Sequence, residues 1–429
     1  MLPVGSAPSR TCTGLSRRAL FQVGGLGAVG VTLADALLAQ ARNPSARNVS
    51  CIFLWLDGGP SHFETFDPKP VAPDAVRGPY GVVQTPVAGV HFSELMPMTA
   101  GLMDRCAVIR SLTHKNSGHV PVPMMTGFDD KMTSHGAVVA KLKGALGGMP
   151  PYVHLGSKLN VGGGALGSAF DPLEVPDPSG RRSPLPDLAL SQHVPAARFQ
   201  DRRELLRAFD ATRAAVHQSR DVERMDEAHR RAADLLTSGR VRAAFDLSRE
   251  PEAVRDRYGA SFFGSACLTA RRLVEAGTRF VQVKWYDGPA FDGWDVHGAD
   301  LAGMARMEQH LCPRLDLALH TLLTDLHDRR MLDRTLVVVT GEFGRTPTLN
   351  KYGARDHWPY CFSVLLAGGG VPGGLVYGSS DQKGAYPAHN PVTPPEFSAT
   401  LYKLLGLDTN TDPRVRPFLG AAQPVSDFF

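Results

Sequence analysis

The stretch Ser50-Cys51-Ile52-Phe53-Leu54-Trp55-Leu56-Asp57-Gly58-Gly59-Pro60-Ser61 decides how the chain folds. Six apolar or aromatic residues, Cys51 to Leu56, run directly into a carboxylate and then into residues that turn. An apolar run of this length reads as a strand buried on both faces, as in a parallel sheet covered by helices on each side. Ligands of open α/β sheets sit outside the carboxyl ends of the strands. Asp57 is therefore either a helix N-cap or a metal ligand.

Outward from this strand, the chain alternates strand-like and helix-like segments. Strands are expected at 106–110, 152–155, 278–285, 335–340 and 361–367. Helices are expected within 124–146 and at 261–276, 299–330 and 395–405. Residues 57–100 and 156–190 are rich in Gly and Pro and read as excursions. Residues 199–258 carry balanced charge and helical spacing (Leu205, Leu206, Phe209, Thr212, Val216), as in amphipathic helices inserted beside the sheet. The alternation predicts an α/β fold, a three-layer sandwich with a mostly parallel central sheet.

The ends of the predicted strands carry the chemistry. Strand one ends at Asp57. Strand 278–285 leads to Gly293-Trp294-Asp295-Val296-His297. Strand 335–340 ends in Gly341-Glu342-Phe343-Gly344-Arg345-Thr346-Pro347. Arg355-Asp356-His357-Trp358 lies just before strand 361–367. One such pair is bland. Four that bring carboxylate or imidazole to one sheet edge favour a metal site with oxygen and nitrogen ligands.

Length and composition set limits. The chain has 429 residues, 43% hydrophobic and 21% charged, as in a soluble globular protein. Net charge is +4, and Arg10, Arg17 and Arg18 against Asp35 account for half of it. No polybasic surface for nucleic acid is implied. Six cysteines, at 12, 51, 106, 267, 312 and 361, form no Cys-x-x-Cys pair, so no zinc ribbon or disulfide framework is expected. Ser16-Arg17-Arg18-Ala19-Leu20-Phe21, an apolar stretch to Leu38 and Ala39-Gln40-Ala41 read as a twin-arginine signal peptide over 1–41. That address implies the twin-arginine export machinery as a partner and a periplasmic or extracellular mature domain over 42–429. No later segment is long and apolar enough to predict a stable membrane span.

The motifs Asp57-Gly-Gly-Pro-Ser, Phe66-Asp-Pro-Lys-Pro, Trp294-Asp-Val-His, Gly341-Glu-Phe-Gly-Arg-Thr-Pro, Asp356-His-Trp and Ala367-Gly-Gly-Gly together resemble the DUF1501 family, related to the sulfatase and alkaline phosphatase superfamily. The resemblance covers nearly all of 42–429. It implies an alkaline phosphatase-like fold with one or two divalent metals, zinc, calcium, magnesium or manganese, held at strand ends. By motif it implies Asp57, Asp295, His297, Glu342, Asp356 and His357 as metal ligands. It also implies a nucleophile ten residues before Gly127 in Met124-Met125-Thr126-Gly127, which is Ser117, with Thr113 and Ser111 behind it. His119 is a ligand or an acid/base, with His114 and His62 as weaker candidates. Arg345 either pairs with a non-bridging ester oxygen or salt-bridges Glu342 or Asp356; Lys115 is a further candidate for the same oxygen.

Two departures from the superfamily plan stand out. No Cys-x-Pro-Ser-Arg segment is present, which argues against formylglycine chemistry. Phe343 occupies a position where relatives carry a metal-binding His. The expected activity is metal-dependent hydrolysis of a phosphate or sulfate ester, on a small-molecule or saccharide substrate. The alternatives are a non-catalytic binding or structural protein that keeps the fold, and an esterase using Ser61, which lacks the Gly-x-Ser-x-Gly elbow.

Overall fold

The computed structural model describes residues 48–158, 160–177, 195, 197–199, 201–202, 204–205, 238–285, 293–298, 303–407, 409–410 and 412–429. Residues 1–41, expected to be a signal peptide, and Leu206, Phe209, Thr212 and Val216 lie outside them. The sheet has eight strands: β1 (Ser50–Trp55), β2 (Cys106–Leu112), β3 (Tyr152–Leu155), β4 (Leu173–Val175), β5 (Phe280–Lys284), β6 (Thr335–Thr340), β7 (Phe362–Ala367) and β8 (Leu375–Tyr377). They lie in the order β8-β2-β7-β6-β1-β5-β3-β4. β1 is central and pairs in parallel with β5 and β6.

Alternation along the strands divides the sheet between two cores. Ile52 and Leu54 of β1 join Val281, Val283, Val337 and Val339 on one face. Cys51, Phe53 and Trp55 join Phe280, Leu336 and Val338 on the other. Helices α2 (Phe262–Ala276) and α3 (Cys312–Asp328) cover the first face. Helices α1 (His135–Lys143) and α4 (Pro394–Leu404) cover the second. The result is the three-layer arrangement expected from the alternating pattern. Three of the four helix starts are chemically marked: Ser261 accepts from Gly264 N at 3.0 Å, Ser134 from Ala137 N at 3.3 Å, and Thr393 with Glu396 forms a capping box. The long helical stretch foreseen over 299–330 is not uniform. Gly303–Arg306 passes through a π-helical turn, Met307–Leu311, before α3, whose second residue is Pro313. Pro313 has no N–H to donate, so the regular ladder cannot run unbroken through it.

Two features escaped the sequence. The edge strands β4 and β8 have three residues each and lie in Gly/Pro-rich surroundings. And β7 runs antiparallel to both β2 and β6, while the other seven strands share one direction. The reversal matters for function. The segment that precedes β7, containing Asp356 and His357, enters at the edge where the other strands end.

Register sets the height of the exits. Trp55 of β1 pairs with Thr340 of β6 and with Lys284 of β5. Asp57 and Glu342 therefore leave the sheet two residues beyond the same row. Helical residues Gly239–Phe245 and Glu252–Arg257 extend the α2/α3 layer, with Val241 and Phe245 in its core; Leu205 is exposed. This layer is tied by Arg271, fully buried on α2, whose guanidinium meets Glu250 at 2.9 Å, Glu275 at 2.7 Å and Asp325 at 3.0 Å.

The excursion after β1 is also anchored by charge. Glu64 pairs with Arg355 at 2.9 Å, both 1% exposed, and Arg355 donates to the carbonyls of Val76 and Thr346. Removing one partner leaves a buried charge uncompensated. Glu64→Gln should cost about 3–5 kcal/mol of folding free energy, read as a lower urea midpoint at unchanged slope. A midpoint equal to wild type would show that the pair is solvated.

Candidate metal centre

The sheet edge above β1, β5 and β6 gathers His119, Asp295 and His357. One ligand-type atom from each lies within 4.8 Å of the others. His119 comes from the loop after β2, Asp295 from the segment beyond β5, and His357 from the segment before β7. The loop carrying Asp295 is stitched to the β1 exit: Trp294 N–H donates to the Asp57 carbonyl at 2.7 Å, and Trp285 N–H to that of Trp55 at 2.7 Å. His357 pairs with Arg345 in a two-residue antiparallel ladder, Gly344–Arg345 with His357–Trp358.

The hydrogen bonds around the two histidines are those of metal ligands. His357 Nδ1–H donates to the Ser117 carbonyl at 2.8 Å, which leaves Nε2 facing Asp295 Oδ1 at 3.1 Å. His119 Nδ1 meets Glu342 Oε1 at 2.8 Å, and its Nε2 faces Asp295 Oδ2 at 3.0 Å. A ligating histidine typically gives its far N–H to a carbonyl or carboxylate, which fixes ring and tautomer. Both rings satisfy that here, one through Ser117 O and one through Glu342. Glu342 is in turn held by Gly58 N–H at 2.8 Å, and its other oxygen, Oε2, is buried without a hydrogen-bond partner. The donor set, one carboxylate and two imidazoles with an orphaned buried carboxylate oxygen behind them, fits a divalent cation.

The charges are consistent with this. Burial pushes the Asp295 carboxyl up. Polar contacts with His119 and His357, and the charge and hydrogen bond of Arg345, outweigh it and hold the group well below the usual carboxylate range. His119, hydrogen-bonded to Asp295 and Glu342, is raised to about 9 despite desolvation. A proton on His119 thus occupies the space between two carboxylates, and a cation binding there must displace it.

The structure sorts the residues singled out by sequence. His297 lies at the cluster's edge, its Nδ1 2.5 Å from Asp295 Oδ1 and its ring 4.7 Å from that of His357. Glu342 stands behind His119. Asp57 is turned elsewhere: it pairs with Lys284 at 3.1 Å and accepts from the Trp55 indole at 3.0 Å. Asp356 is exposed and accepts from Asn350 at 2.9 Å. Neither joins the group of three. Ser117 is exposed and contributes its carbonyl. Ser111 donates to Asn390 O at 2.6 Å, and Thr113 N–H is bonded to Val392 O at 2.9 Å. His114 Nδ1 accepts from Asn116 N–H, so its Nε2–H donates to the Glu342 carbonyl at 2.6 Å; burial pulls its pKa down. His62 is buried and donates to Gly384 O at 2.9 Å, away from the cluster.

Arg345 is not free for an ester oxygen. It is 1% exposed and donates to the carbonyls of Gly58, Gly59, Trp294 and Arg355 and to Asp295 Oδ1 at 2.9 Å. Its partner is neither Glu342 nor Asp356. It is the strut that fixes Asp295 against the β1 exit. Phe343 fills the floor, its ring centroid 4.5 Å from that of His357 and 5.3 Å from that of His119. The Ser61 hydroxyl donates to Glu64, whose charge Arg355 already balances, and among the described residues no histidine is hydrogen-bonded to it. The five described cysteines are buried and free.

Gly58 shows how tightly the turn is fitted. Its φ is +109°, and a Cβ there would sit 2.4 Å from Asp295 N. Gly58→Ala must displace the Asp295 backbone. We expect metal affinity to fall at least about tenfold, by chelator competition; unchanged affinity would show that the Asp295 loop moves freely.

A mostly parallel eight-stranded sheet between two helical layers, with imidazole and carboxylate gathered at its carboxyl edge, defines the chain as a three-layer α/β protein. The chain belongs to the family described as "Protein of unknown function (DUF1501)", which matches residues 48–421. No curated protein matches. Among solved structures it is similar to the PsFucS1 sulfatase from Pseudoalteromonas sp., with 12% identity, 88% of this chain and 71% of that chain covered, and a TM-score of 0.36. The phosphonate monoester hydrolase SpPMH from Silicibacter pomeroyi gives 11% identity, 89% and 78% coverage, and a TM-score of 0.36. The lipoteichoic acid synthase LtaP from Listeria monocytogenes gives 10%, 86% and 74%, and 0.34.

Proposed function

We propose that the chain is an exported metal-dependent hydrolase of phosphate or sulfate esters. The observation that carries this is the His119–Asp295–His357 group with the far nitrogen of each histidine already engaged. His119 Nε2, His357 Nε2 and Asp295 would hold the ion. A divalent ion there supplies charge neutralisation for the ester oxygens and lowers the pKa of the attacking hydroxyl or water. The chain's own residues do the rest. Glu342 and the Ser117 carbonyl orient the two imidazoles. Arg345 locks Asp295, and Phe343 excludes water from beneath the rings. Ser117, exposed in the loop that carries His119, is the side-chain nucleophile candidate. Among the described residues no helix is long and apolar enough to cross a membrane. Export rests on the twin-arginine pattern at 16–21.

The test is metal content of the purified protein, together with turnover of aryl phosphate and aryl sulfate with added zinc, calcium, magnesium or manganese. One bound ion with turnover supports the reading. A bound ion without turnover favours the non-catalytic alternative, and no ion with no turnover overturns it.

A further inference from the structure

Directly beside His357 stands a cluster of three aromatic rings that the metal centre does not use. Trp358 contacts Tyr360 with ring centroids 4.9 Å apart and Tyr386 at 5.5 Å, and Tyr360 meets Tyr386 at 5.8 Å. Tyr360 is 38% and Tyr386 51% exposed. The other three tryptophans, Trp55, Trp285 and Trp294, are buried.

The cluster is built rather than incidental. The turn bearing Tyr386 is closed by Asp381, whose carboxylate accepts the N–H groups of Lys383 and Ala385 at 2.9 Å and of Tyr386 at 3.2 Å. The Trp358 indole N–H donates to the Ala385 carbonyl at 2.5 Å. Buried His62, from the β1 exit, donates to the Gly384 carbonyl. Gly384 has φ +65°, and a Cβ there would lie 2.7 Å from the Phe63 ring. The turn is thus fixed to the segment that positions the metal centre. Exposed Lys383 lies in the same turn. Exposed Lys115 lies in the loop whose His114 N–H donates to the Pro359 carbonyl at 3.0 Å.

We propose that Trp358, Tyr360 and Tyr386 form a stacking platform for a sugar ring of an anionic saccharide, a reading that rests on the ester-hydrolase assignment of the neighbouring site. The ligand class follows from the chemistry. Aromatic rings with hydroxyl tips offer an apolar face and hydrogen bonds at once, which suits a pyranose. Trp358 lies at 74° to Tyr360 and 66° to Tyr386. The three rings therefore offer no parallel slot for a planar base. A nucleic-acid platform also needs a cationic groove, and the net charge is only +4. Exposed Lys383, in the Tyr386 turn, and exposed Lys115, in the loop bonded to Pro359, are the cations this reading assigns to the acidic group of the saccharide. Neighbouring residues of a strand project to opposite faces. Trp358 therefore presents its ring away from the His357 side of the ladder. A substrate that reaches both sites has two or more sugar units, with the ester on one and the stacked face on another.

The four-tryptophan count gives a direct assay. Trp358 is the partly exposed one, so ligand-induced quenching reports from the platform. The probes are a sulfated galactan hexasaccharide and its desulfated counterpart, added to chelator-treated full-length protein. We expect saturable quenching, tighter for the sulfated probe and weakened by salt. Tyr386→Ala should weaken binding at least tenfold, and Tyr386→Phe should recover it to within about threefold. Tyr360→Ala gives a second, exposed position should Tyr386→Ala misfold. Absence of quenching with both probes, or unchanged affinity in folded alanine variants, overturns the platform. So does a dimer in light scattering that Tyr386→Ala dissociates. Because the protein is metal-stripped, quenching without metal uptake or turnover in the separate assay would leave the platform standing and remove only the hydrolase reading.

Discussion

Asp295→Asn should leave the purified protein unable to retain a divalent ion. The substitution keeps the shape of the side chain and removes its charge. Asp295 is the hub of the centre: His119, His297, His357 and Arg345 each reach one of its oxygens. Loss of a group that merely orients a ligand costs about 10–100-fold in metal affinity. Loss of the carboxylate ligand should cost more than about a hundredfold, and turnover should fall with it. Glu342→Gln, which weakens the hold on His119, belongs in the 10–100-fold range. Asp57→Ala should cost less than either, since its carboxylate is spent on Lys284 and Trp55. The order of the three, from metal stoichiometry after gel filtration and from the rise in melting temperature on adding zinc or manganese, is the result that matters. A protein stripped of metal by Asp57→Ala and not by Asp295→Asn would reverse the assignment.

That order is not what local sequence suggests, and the reason is physical. β1 is legible because a strand buried on both faces must be continuously apolar, and Asp57 is conspicuous at its end. The destination of the Asp57 carboxylate depends on Lys284, which register alone brings alongside. Nothing near Asp57 in sequence signals that partner. His357 was legible as a chemistry-bearing residue. That it reaches the shared edge depends on β7 running antiparallel, which the alternation of strands and helices does not encode. His119 sits in a polar loop with no period, so its part in the cluster shows only once Asp295 and Glu342 are placed on either side of it. Arg345 shows the reverse error: a guanidinium in a motif suggests an anion, but five acceptors from the chain itself occupy it. Elements fixed by local periodicity were readable in place; at the sheet edge the chemistry-bearing residues were readable, but which of them pair with one another was not.

Stability should fall steeply as pH drops from 6.5 toward 4, because three histidines are buried in neutral form. His62, His135 and His154 are each 1–2% exposed. Desolvation lowers each from the ordinary value of 6.5 to about 4. The local contacts agree. His62 meets Gly384 O, and His154 meets Ser157 O, each through Nε2–H. His135 donates to Met124 O at 3.2 Å and accepts from the Tyr402 hydroxyl at 3.0 Å. Between pH 6.5 and 4 the unfolded chain binds protons at these positions and the folded chain does not, so unfolding gains as pH falls. Above 6.5 neither state is protonated and the effect vanishes; below 4 both are, and it is complete. Each histidine then costs about 3 kcal/mol in full and about 2 kcal/mol by pH 5. Together they remove on the order of 6 kcal/mol at pH 5, comparable to the whole stability of many domains. His119 has the opposite sign: its stabilisation is complete below 6.5 and is lost as pH rises through about 9, so it does not explain an acid loss. The check is urea unfolding of metal-free protein at pH 7, 6 and 5, repeated with His135→Gln. Removing this titration should flatten the profile by about 2 kcal/mol between pH 7 and 5. A variant whose profile stays as steep as wild type would show that the acid sensitivity comes from other groups.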